Sequence, residues 1–340
     1  MNLTFPSLIL AQARSELPPI APEPGTVWMP PQASTAAGQT DLVFYFIYWV
    51  TVFFFVLIVA LMVYFVLRYR ARRAGQPAAS QVSHNTALEL TWSAIPLVLV
   101  VVMFYLGFRG FMDLVNPPAG AFDVRVLAKK WDWFFTYPNG HIDGELHVPV
   151  GTPVRLILES NDVIHSLFIP AFRIKKDAVP GRYNKLWFEA QDPGEYLLLC
   201  AEFCGTQHST MQTRVVVHPS GEYERWLGEA SDPFRTRTLA DVGQLLVSRR
   251  CQQCHTIDGR AHIGPSLKGI YEHPVEFTDG TSTVADDNYL RESILYPQAR
   301  IVKGYGREMS SFKGVLKDKE ITAIIEYIKE LSQNRTEPSP

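Results

Sequence analysis

The stretch C-A-E-F-C-G-T-Q-H-S-T-M, Cys200 to Met211, gathers two thiols, an imidazole and a thioether within twelve residues. Three residues separate Cys200 from Cys204, three more separate Cys204 from His208, and Met211 follows after two. One tight loop can therefore turn all four side chains toward a common point. Thiolate, imidazole and thioether are soft donors that suit copper, with methionine as the weak axial ligand. A second imidazole, His165 in N-D-V-I-H-S, follows an alternating, strand-like run. The competing explanation is a disulfide or a pair of buried thiols at Cys200 and Cys204, with His208 and Met211 as packing residues. The added histidine and methionine at loop spacing count against it.

Around this loop, from about Phe122 to Pro219, the pattern has a period of two. Phe122, Val124 and Val126 alternate with Asp123 and Arg125, and Val154, Leu156 and Leu158 alternate around Arg155 and Ile157. Turn signals at Pro138-Asn139-Gly140 and Asp192-Pro193-Gly194 separate the runs. This predicts an all-β domain over 120–219, a small sandwich or barrel with rigid loop ends. His165 is expected on one loop and Cys200 to Met211 on another, between strands ending near Leu199 and restarting near Arg214. Upstream, K-K-W-D-W-F-F-T-Y places Trp131, Trp133, Phe134, Phe135 and Tyr137 within seven residues. The run reads either as a core strand or as an aromatic surface patch through which a redox partner passes an electron.

Further upstream lies a membrane pattern. Leu42 to Leu67 is a 26-residue run whose only non-aromatic polar residue is Thr51, longer than the roughly 20 apolar residues a spanning helix needs. Arg68, Arg70, Arg72 and Arg73 follow at once, a cluster of the kind retained in the cytoplasm. A second apolar run, Trp92 to about Met112, is interrupted by Pro96, Gly107, Arg109 and Gly110, yet its place after a positive loop marks it as the returning span. The expected order is an outer arm over 1–38, a first span over 39–68, a cytoplasmic loop over 69–90 and a second span over 91–113. The remainder then lies on the outer side. Leu3 to Ala13 is similar to a short signal-peptide core but lacks a basic flank, and Pro18 to Pro31, with six prolines, reads as an extended arm. Glu89, expected just ahead of the second span, reads as a solvated interfacial carboxylate or as a proton-loading acid.

Downstream, a linker over 220–238 holds a short helix near Glu222. The segment L-A-D-V-G-Q-L-L-V-S-R-R then leads as an amphipathic helix into Cys251-Gln-Gln-Cys254-His255. C-x-x-C-H is the covalent c-type haem signal: two thiols add to the porphyrin vinyl groups and the next imidazole reaches the iron. Half a zinc site is the alternative, and no second C-x-x-C or downstream histidine pair completes one. Gly264-Pro265-Ser266-Leu267 forms a turn that can support the histidine, and Met309 in G-R-E-M-S-S-F is the candidate second axial ligand. Ile321, Ile324, Ile325, Ile328 and Leu331 form the stripe of a terminal amphipathic helix. Residues 239–334 thus read as an all-α class I cytochrome c domain. All four cysteines are then in use. The net charge of -2 and the absence of a basic stripe exclude a nucleic-acid binder. Within 239–340, 13 Lys and Arg face 14 Asp and Glu, a balance that gives no long-range steering of a donor.

The copper loop, His165-Ser166, the run K-x-D-A-V-P-G-R from Lys175 to Arg182, the aromatic run and L-E-x-x-W-x-x-x-P at the second helix resemble subunit II of haem-copper cytochrome c oxidases, in the same order over about residues 40–219. With the appended cytochrome, the whole is similar to the fused, caa-type form. The resemblance implies a cupredoxin-like Greek-key domain and a dinuclear CuA centre with two coppers bridged by Cys200 and Cys204. His165 and His208 would each bind one copper, with Met211 and the Glu202 carbonyl as weak ligands. It further implies that the Glu202 carboxylate reaches a magnesium at the interface with subunit I, that Trp131 is the electron-entry tryptophan and that Glu89 lies at the mouth of a proton path. Subunits I and III, and an upstream donor such as a cytochrome c or a quinol-oxidising complex, are the implied partners, in a bacterial plasma (inner) membrane. One departure is Leu167, where many relatives carry an aromatic residue. The alternative function is a membrane-tethered copper-handling or thiol-redox assembly protein, which needs neither Met211 nor a fused haem domain.

Overall fold

A computed structural model describes residues 25–71, 73, 80, 82–235 and 237–333 of the 340-residue chain. The signal-like segment 3–13, the first part of the proline arm and Arg72 lie outside the described residues. Two long helices come first, α1 (Ala37–Tyr69) and α2 (Thr86–Val115), of 33 and 30 residues. At about 1.5 Å per residue both exceed the ~30 Å hydrocarbon core of a bilayer. Their apolar side chains are exposed along most of their length, as in Phe53, Ile58, Val66, Leu97 and Phe104, which suits lipid as the solvent. α2 starts earlier than the apolar run suggests. The Asn85 side chain accepts from the Leu88 amide, and the Glu89 carboxylate accepts from the Asn85 amide at 3.2 Å. Glu89 therefore lies inside the first turn, where it caps the helix and complements its dipole, rather than ahead of it.

Ten strands follow: β1 (Phe122–Lys129), β2 (Asp132–Thr136), β3 (Ile142–Asp143), β4 (Leu146–Pro149), β5 (Pro153–Ser160), β6 (His165–Ile169), β7 (Ile174–Ala178), β8 (Asn184–Glu189), β9 (Gly194–Cys200) and β10 (Gln212–His218). They form two five-stranded sheets, ordered β3-β2-β1-β5-β8 and β4-β10-β9-β6-β7. The alternating apolar residues of each meet in one core, with Val124, Val126, Leu156 and Leu158 from the first sheet and Leu146, Leu167, Leu198 and Val215 from the second, all fully buried. Leu167 lies opposite Cys200 in the ladder, so an aliphatic side chain fills the place beneath the copper loop. This sandwich is fixed to the membrane hairpin. Ser34 pairs with Ala190 as an isolated bridge. Arg173, in the left-handed region at φ 56, donates to Asp41 of α1 at 2.7 and 2.9 Å and to the carbonyls of Pro30, Pro31 and Pro170.

The linker helix α3 (Glu222–Ser231) lies against the sandwich. Its Trp226 stacks on His147 with centroids 3.9 Å apart, and His147 Nδ1 is hydrogen-bonded to His218 Nε2 at 2.9 Å. The last domain contains α4 (Leu239–Arg250), a hairpin of β11 (Pro274–Glu276) and β12 (Ser282–Val284), α5 (Asp287–Leu295) and α6 (Asp318–Gln333). A capping box between Thr238 and Asp241 starts α4. The isoleucine stripe of α6 is buried, Ile321, Ile324, Ile325 and Ile328 being at most 3% exposed, and packs with Val247 of α4 and with Tyr289 and Leu290 of α5. The short hairpin is the addition to a purely helical reading; it is closed by the turn Thr278-Asp279-Gly280 and buries Phe277.

Candidate metal centre

Strand ends, not free loops, carry the first two donors. His165 is the first residue of β6 and Cys200 the last of β9, antiparallel neighbours. The loop between Cys200 and Met211 is closed at its neck by the Cys200 amide donating to the Met211 carbonyl at 3.0 Å, and is tied to β6 by the Ala201 amide on the Ser166 carbonyl at 2.8 Å. A short 3-10 turn, His208–Thr210, then aims His208 inward. The result is a compact set of donors. Cys200 Sγ and Cys204 Sγ are 3.8 Å apart, His165 Nδ1 is 3.9 Å from Cys200 Sγ, and His208 Nδ1 is 3.6 Å from Cys204 Sγ. Met211 Sδ is 3.8 Å from Cys204 Sγ, and the Cys200 thiol donates to the Glu202 carbonyl at 3.3 Å. Both cysteines are free, and their separation is well beyond the roughly 2.05 Å of a disulfide. Two sulfurs in contact, each flanked by its own imidazole, fit bridging thiolates between soft cations. Among the described residues, the donor atoms of His165, Cys200 and Cys204 lie within 4.8 Å of one another.

Electrostatics separates the two thiols. Burial opposes ionisation of Cys200, yet the His165 imidazole and the surrounding backbone outweigh it and bring Cys200 down to about 6. Burial, and then the adjacent Cys200 charge, push Cys204 up to about 12. One thiolate forms readily and the second is resisted by the first, which is the condition that bound cations relieve. His165 is fully buried, and its Nε2 meets Asp162 Oδ1 at 2.8 Å, leaving Nδ1 for the metal. Asp162 was not singled out by the sequence reading; its signal was the carboxylate three residues before the histidine in N-D-V-I-H. Such outer carboxylates fix ring orientation and raise ligand basicity. The Glu202 side chain is exposed, free to face a partner.

The aromatic residues of the run are buried throughout, but on two different sides. Trp133 and Phe135 of β2 are at most 1% exposed within the sandwich core, whereas Phe134 points outward and meets Phe312 of the last domain edge to face at 6.3 Å. Trp131, 6% exposed, donates from Nε1 to the Cys204 carbonyl at 3.2 Å. Gly205, at φ +123, makes room: a Cβ there would lie 3.1 Å from Trp131 Cζ2.

In the last domain, the amides of Cys254 and His255 both donate to the Cys251 carbonyl, at 3.0 and 2.8 Å, which coils the attachment motif into one turn. His255 Nδ1 donates to the Pro265 carbonyl at 2.7 Å, directing Nε2 away as a ligand. Gly264 is required beside it, since a Cβ would fall 2.5 Å from His255 Cε1. Burial pushes Cys251 up to about 12 and raises Cys254 as well. Met309 is half-buried in the loop before α6, and its carbonyl accepts from Gln298 at 3.0 Å. Two thiols, a turned imidazole and a thioether loop in one domain fit a covalently attached haem.

Fold and sites together define a membrane-anchored copper protein carrying a tethered c-type cytochrome. Comparison with known proteins agrees. Residues 136–218 match the family model of the cytochrome c oxidase subunit II periplasmic domain, residues 22–109 that of its transmembrane domain, and residues 240–332 that of cytochrome c. The chain is 31% identical over 260 residues to cytochrome c oxidase subunit 2 of Synechocystis sp., covering 62% of this chain and 78% of the relative. It is 31% identical over 293 residues to the subunit 2 of Alkalihalophilus pseudofirmus, covering 81% and 82%, and 30% identical over 300 residues to that of Thermostichus vulcanus, covering 72% and 89%. The chain belongs to the cytochrome c oxidase subunit II family, in the cytochrome-c-fused, caa3-type form. It is therefore a two-span membrane subunit of a haem-copper oxidase that works with subunit I, and its families imply copper and haem binding.

Proposed function

We propose that this chain is the electron-entry subunit of a respiratory cytochrome c oxidase, passing electrons from its covalent haem c to a dinuclear CuA centre and on to haem a of subunit I, for reduction of oxygen to water coupled to proton pumping. When bound, the haem and the copper pair supply one-electron redox chemistry. Cys200 and Cys204 would hold the copper pair together with His165 and His208, and Met211 and the Glu202 carbonyl would serve as the weaker donors. Buried donors held by strand ends change position little, which keeps the reorganisation on gaining an electron small. The Glu202 carboxylate takes magnesium at the subunit I face, and subunit III completes the assembly. Cys251 and Cys254 would hold the haem covalently, and His255 and Met309 would be its iron ligands. Trp131 links the cytochrome side to the Cys204 backbone. Glu89 combines its capping role with the entrance of a proton path from the cytoplasmic side.

In this reading the chain divides into the arm over 1–38, the hairpin up to 113, the copper domain over 120–219, the linker over 220–238 and the cytochrome over 239–334. The arginine cluster after α1 supports copper and haem domains on the outer face of a bacterial plasma membrane, where a cytochrome c or a quinol-oxidising complex would be the donor. Tethering raises the effective concentration of the donor domain.

The observation that carries this reading is the pair of free sulfurs 3.8 Å apart, each with its own imidazole. Metal analysis of the purified full chain, with near-infrared and visible spectra, tests it: two coppers and one c-type haem per chain are expected. A chain loaded in the cell that carries a single copper, or none, overturns the CuA assignment.

A further inference from the structure

The copper domain and the cytochrome domain meet chiefly along the turn Lys129 to Trp133, with Phe134 against Phe312 and Arg249 against Asp143 beside it, and the contact is polar at the turn. Gln253, between the two attachment cysteines, donates from Nε2 to the Trp131 carbonyl at 3.0 Å. Ser310, next to Met309, donates to the Lys130 carbonyl at 2.6 Å, and Lys129 Nζ donates back to the Ser311 carbonyl at 3.0 Å. Arg250 Nη1 reaches the Trp133 carbonyl at 3.5 Å and Asp132 at 3.7 Å, with its guanidinium over the Phe134 ring. The two segments that carry the proposed haem ligands, 251–255 and 309–311, therefore grip the same short turn. From the other side, the Lys130 amide donates to Asp162, the carboxylate that orients His165, and the Trp131 indole donates to the Cys204 carbonyl.

Contacts between domains are commonly polar, but they seldom bury charged groups. Here the Lys129 ammonium and the Arg250 guanidinium are both taken out of water, Lys129 being 6% exposed and the Arg250 side chain 5%. Such burial gains little net stability and is well suited to fixing one register. The proline-free, hydrogen-bonded register seen here puts the Gln253 carboxamide on the same residue whose indole touches the copper loop.

We propose that Gln253 is a positioning residue for transfer between the two sites: its hydrogen bond to Trp131 holds the haem-attachment loop over the entry tryptophan and completes the chain Gln253, Trp131, Cys204 from one cysteine loop to the other. This rests on the electron-entry reading above. The transfer it serves moves one electron, oxidising ferrous iron to ferric and reducing the copper pair by one, with no proton or bond exchanged. Ser310 and Lys129 flank the bond and set the register.

The test uses the intact oxidase with Gln253→Leu, which keeps the bulk and removes the donor, and Gln253→Glu, which sets a carboxylate against the Trp131 carbonyl. After a photoreductant injects one electron, haem c and CuA bands are followed separately. Loss of one hydrogen bond, ~1 kcal/mol, lowers the docking equilibrium constant about fivefold, so the intramolecular rate is expected to fall, by up to about fivefold, in Gln253→Leu and further in Gln253→Glu. Both cofactor spectra and midpoint potentials are expected to stay as in the wild type. A second readout needs no turnover: hydroxyl-radical labelling of Trp131 and Phe134 is expected to rise in both variants. Unchanged rates and unchanged labelling overturn the positioning role, as does a shifted haem spectrum or potential that accounts for the whole rate change. If the wild type itself passes no electron from haem c to CuA, the electron-entry reading fails instead.

Discussion

Cys200 and Cys204 stand at a strand end and in a loop closed at its neck by a backbone bond, whereas Cys251 and Cys254 lie on a single helical turn after α4. Burial acts on both pairs, with different outcomes. In the first, an imidazole held by Asp162 overrides burial and brings one thiol down to about 6. In the second, among the described residues, no such imidazole counters burial, and both thiols are raised. In the copper pair one thiol has partners for its ionised form and the other is held back by the first until cations bind; a pair destined for thioether bonds needs only the right spacing and a nearby imidazole. The first pair depends on the folded sandwich for its geometry, while the second, once bonded, does not.

The largest effect follows from that separation. Cys200→Ser is expected to abolish the copper bands and copper content while leaving covalent haem in place, and Cys251→Ser to weaken or abolish covalent haem while leaving copper. Atomic absorption and a haem-stained denaturing gel read the two independently. Joint loss in either variant breaks the comparison.

Acid should release copper before haem. Burial, and then the neighbouring His147, hold His218 down at about 4, against 6.5 for an exposed histidine. The unfolded chain thus binds a proton that the folded one refuses. Stability from this group is complete above about pH 6.5, declines by at most about 1.4 kcal/mol per pH unit, and is lost, up to ~3 kcal/mol, by pH 4. Unfolding curves of the copper domain across this range, with His218→Phe as the flat control, check it. Copper leaving with the fold while haem stays attached is the expected outcome; a control as steep as the wild type breaks it.

Asp162→Asn asks how far the copper pair depends on its imidazole. Losing the carboxylate that holds His165 Nε2 is expected to weaken copper binding about 10- to 100-fold, measured by competition with a chelator, with haem incorporation unaffected. A smaller change means that the β6 backbone alone orients the ring.

Much of this was legible in the sequence because chemistry-bearing residues lie close together along it. Cys200 to Met211 and Cys251 to His255 each announce a site by spacing, and the α6 stripe announces a buried face. What escaped were contacts made across the chain. Gln253 reads as a spacer until the fold brings it to Trp131, 122 residues away. The aromatic run could be read as core or as surface patch; all of its aromatic residues are buried, Trp133 and Phe135 in the sandwich and Phe134 against Phe312 of the last domain, a cover that only the fold supplies. The early start of α2 was hidden because Asn85 and Glu89 are polar capping residues outside the apolar run. Arg173 gave no periodic signal, yet its bonds to Asp41 and three carbonyls tie the hairpin to the sandwich.

The smallest effect compares two glycines, one at each site. Gly205 sits at φ +123 with Trp131 against the place of its absent Cβ, and Gly264 lies where a Cβ would meet His255 at 2.5 Å. Gly205→Ala costs on the order of 1 to 3 kcal/mol from backbone conformation alone, and the Trp131 ring must shift by a few tenths of an ångström. Its indole bond to Cys204 then lengthens, which Trp fluorescence of the copper-free chain reads, while the haem bands stay unchanged. Gly264→Ala is expected to do the reverse, displacing the His255 ring and altering the haem spectrum while the copper bands hold. If both variants perturb both spectra, the turn at Lys129 to Trp133 transmits strain between the domains. The two cysteine pairs would then be one mechanical unit rather than two sites in contact.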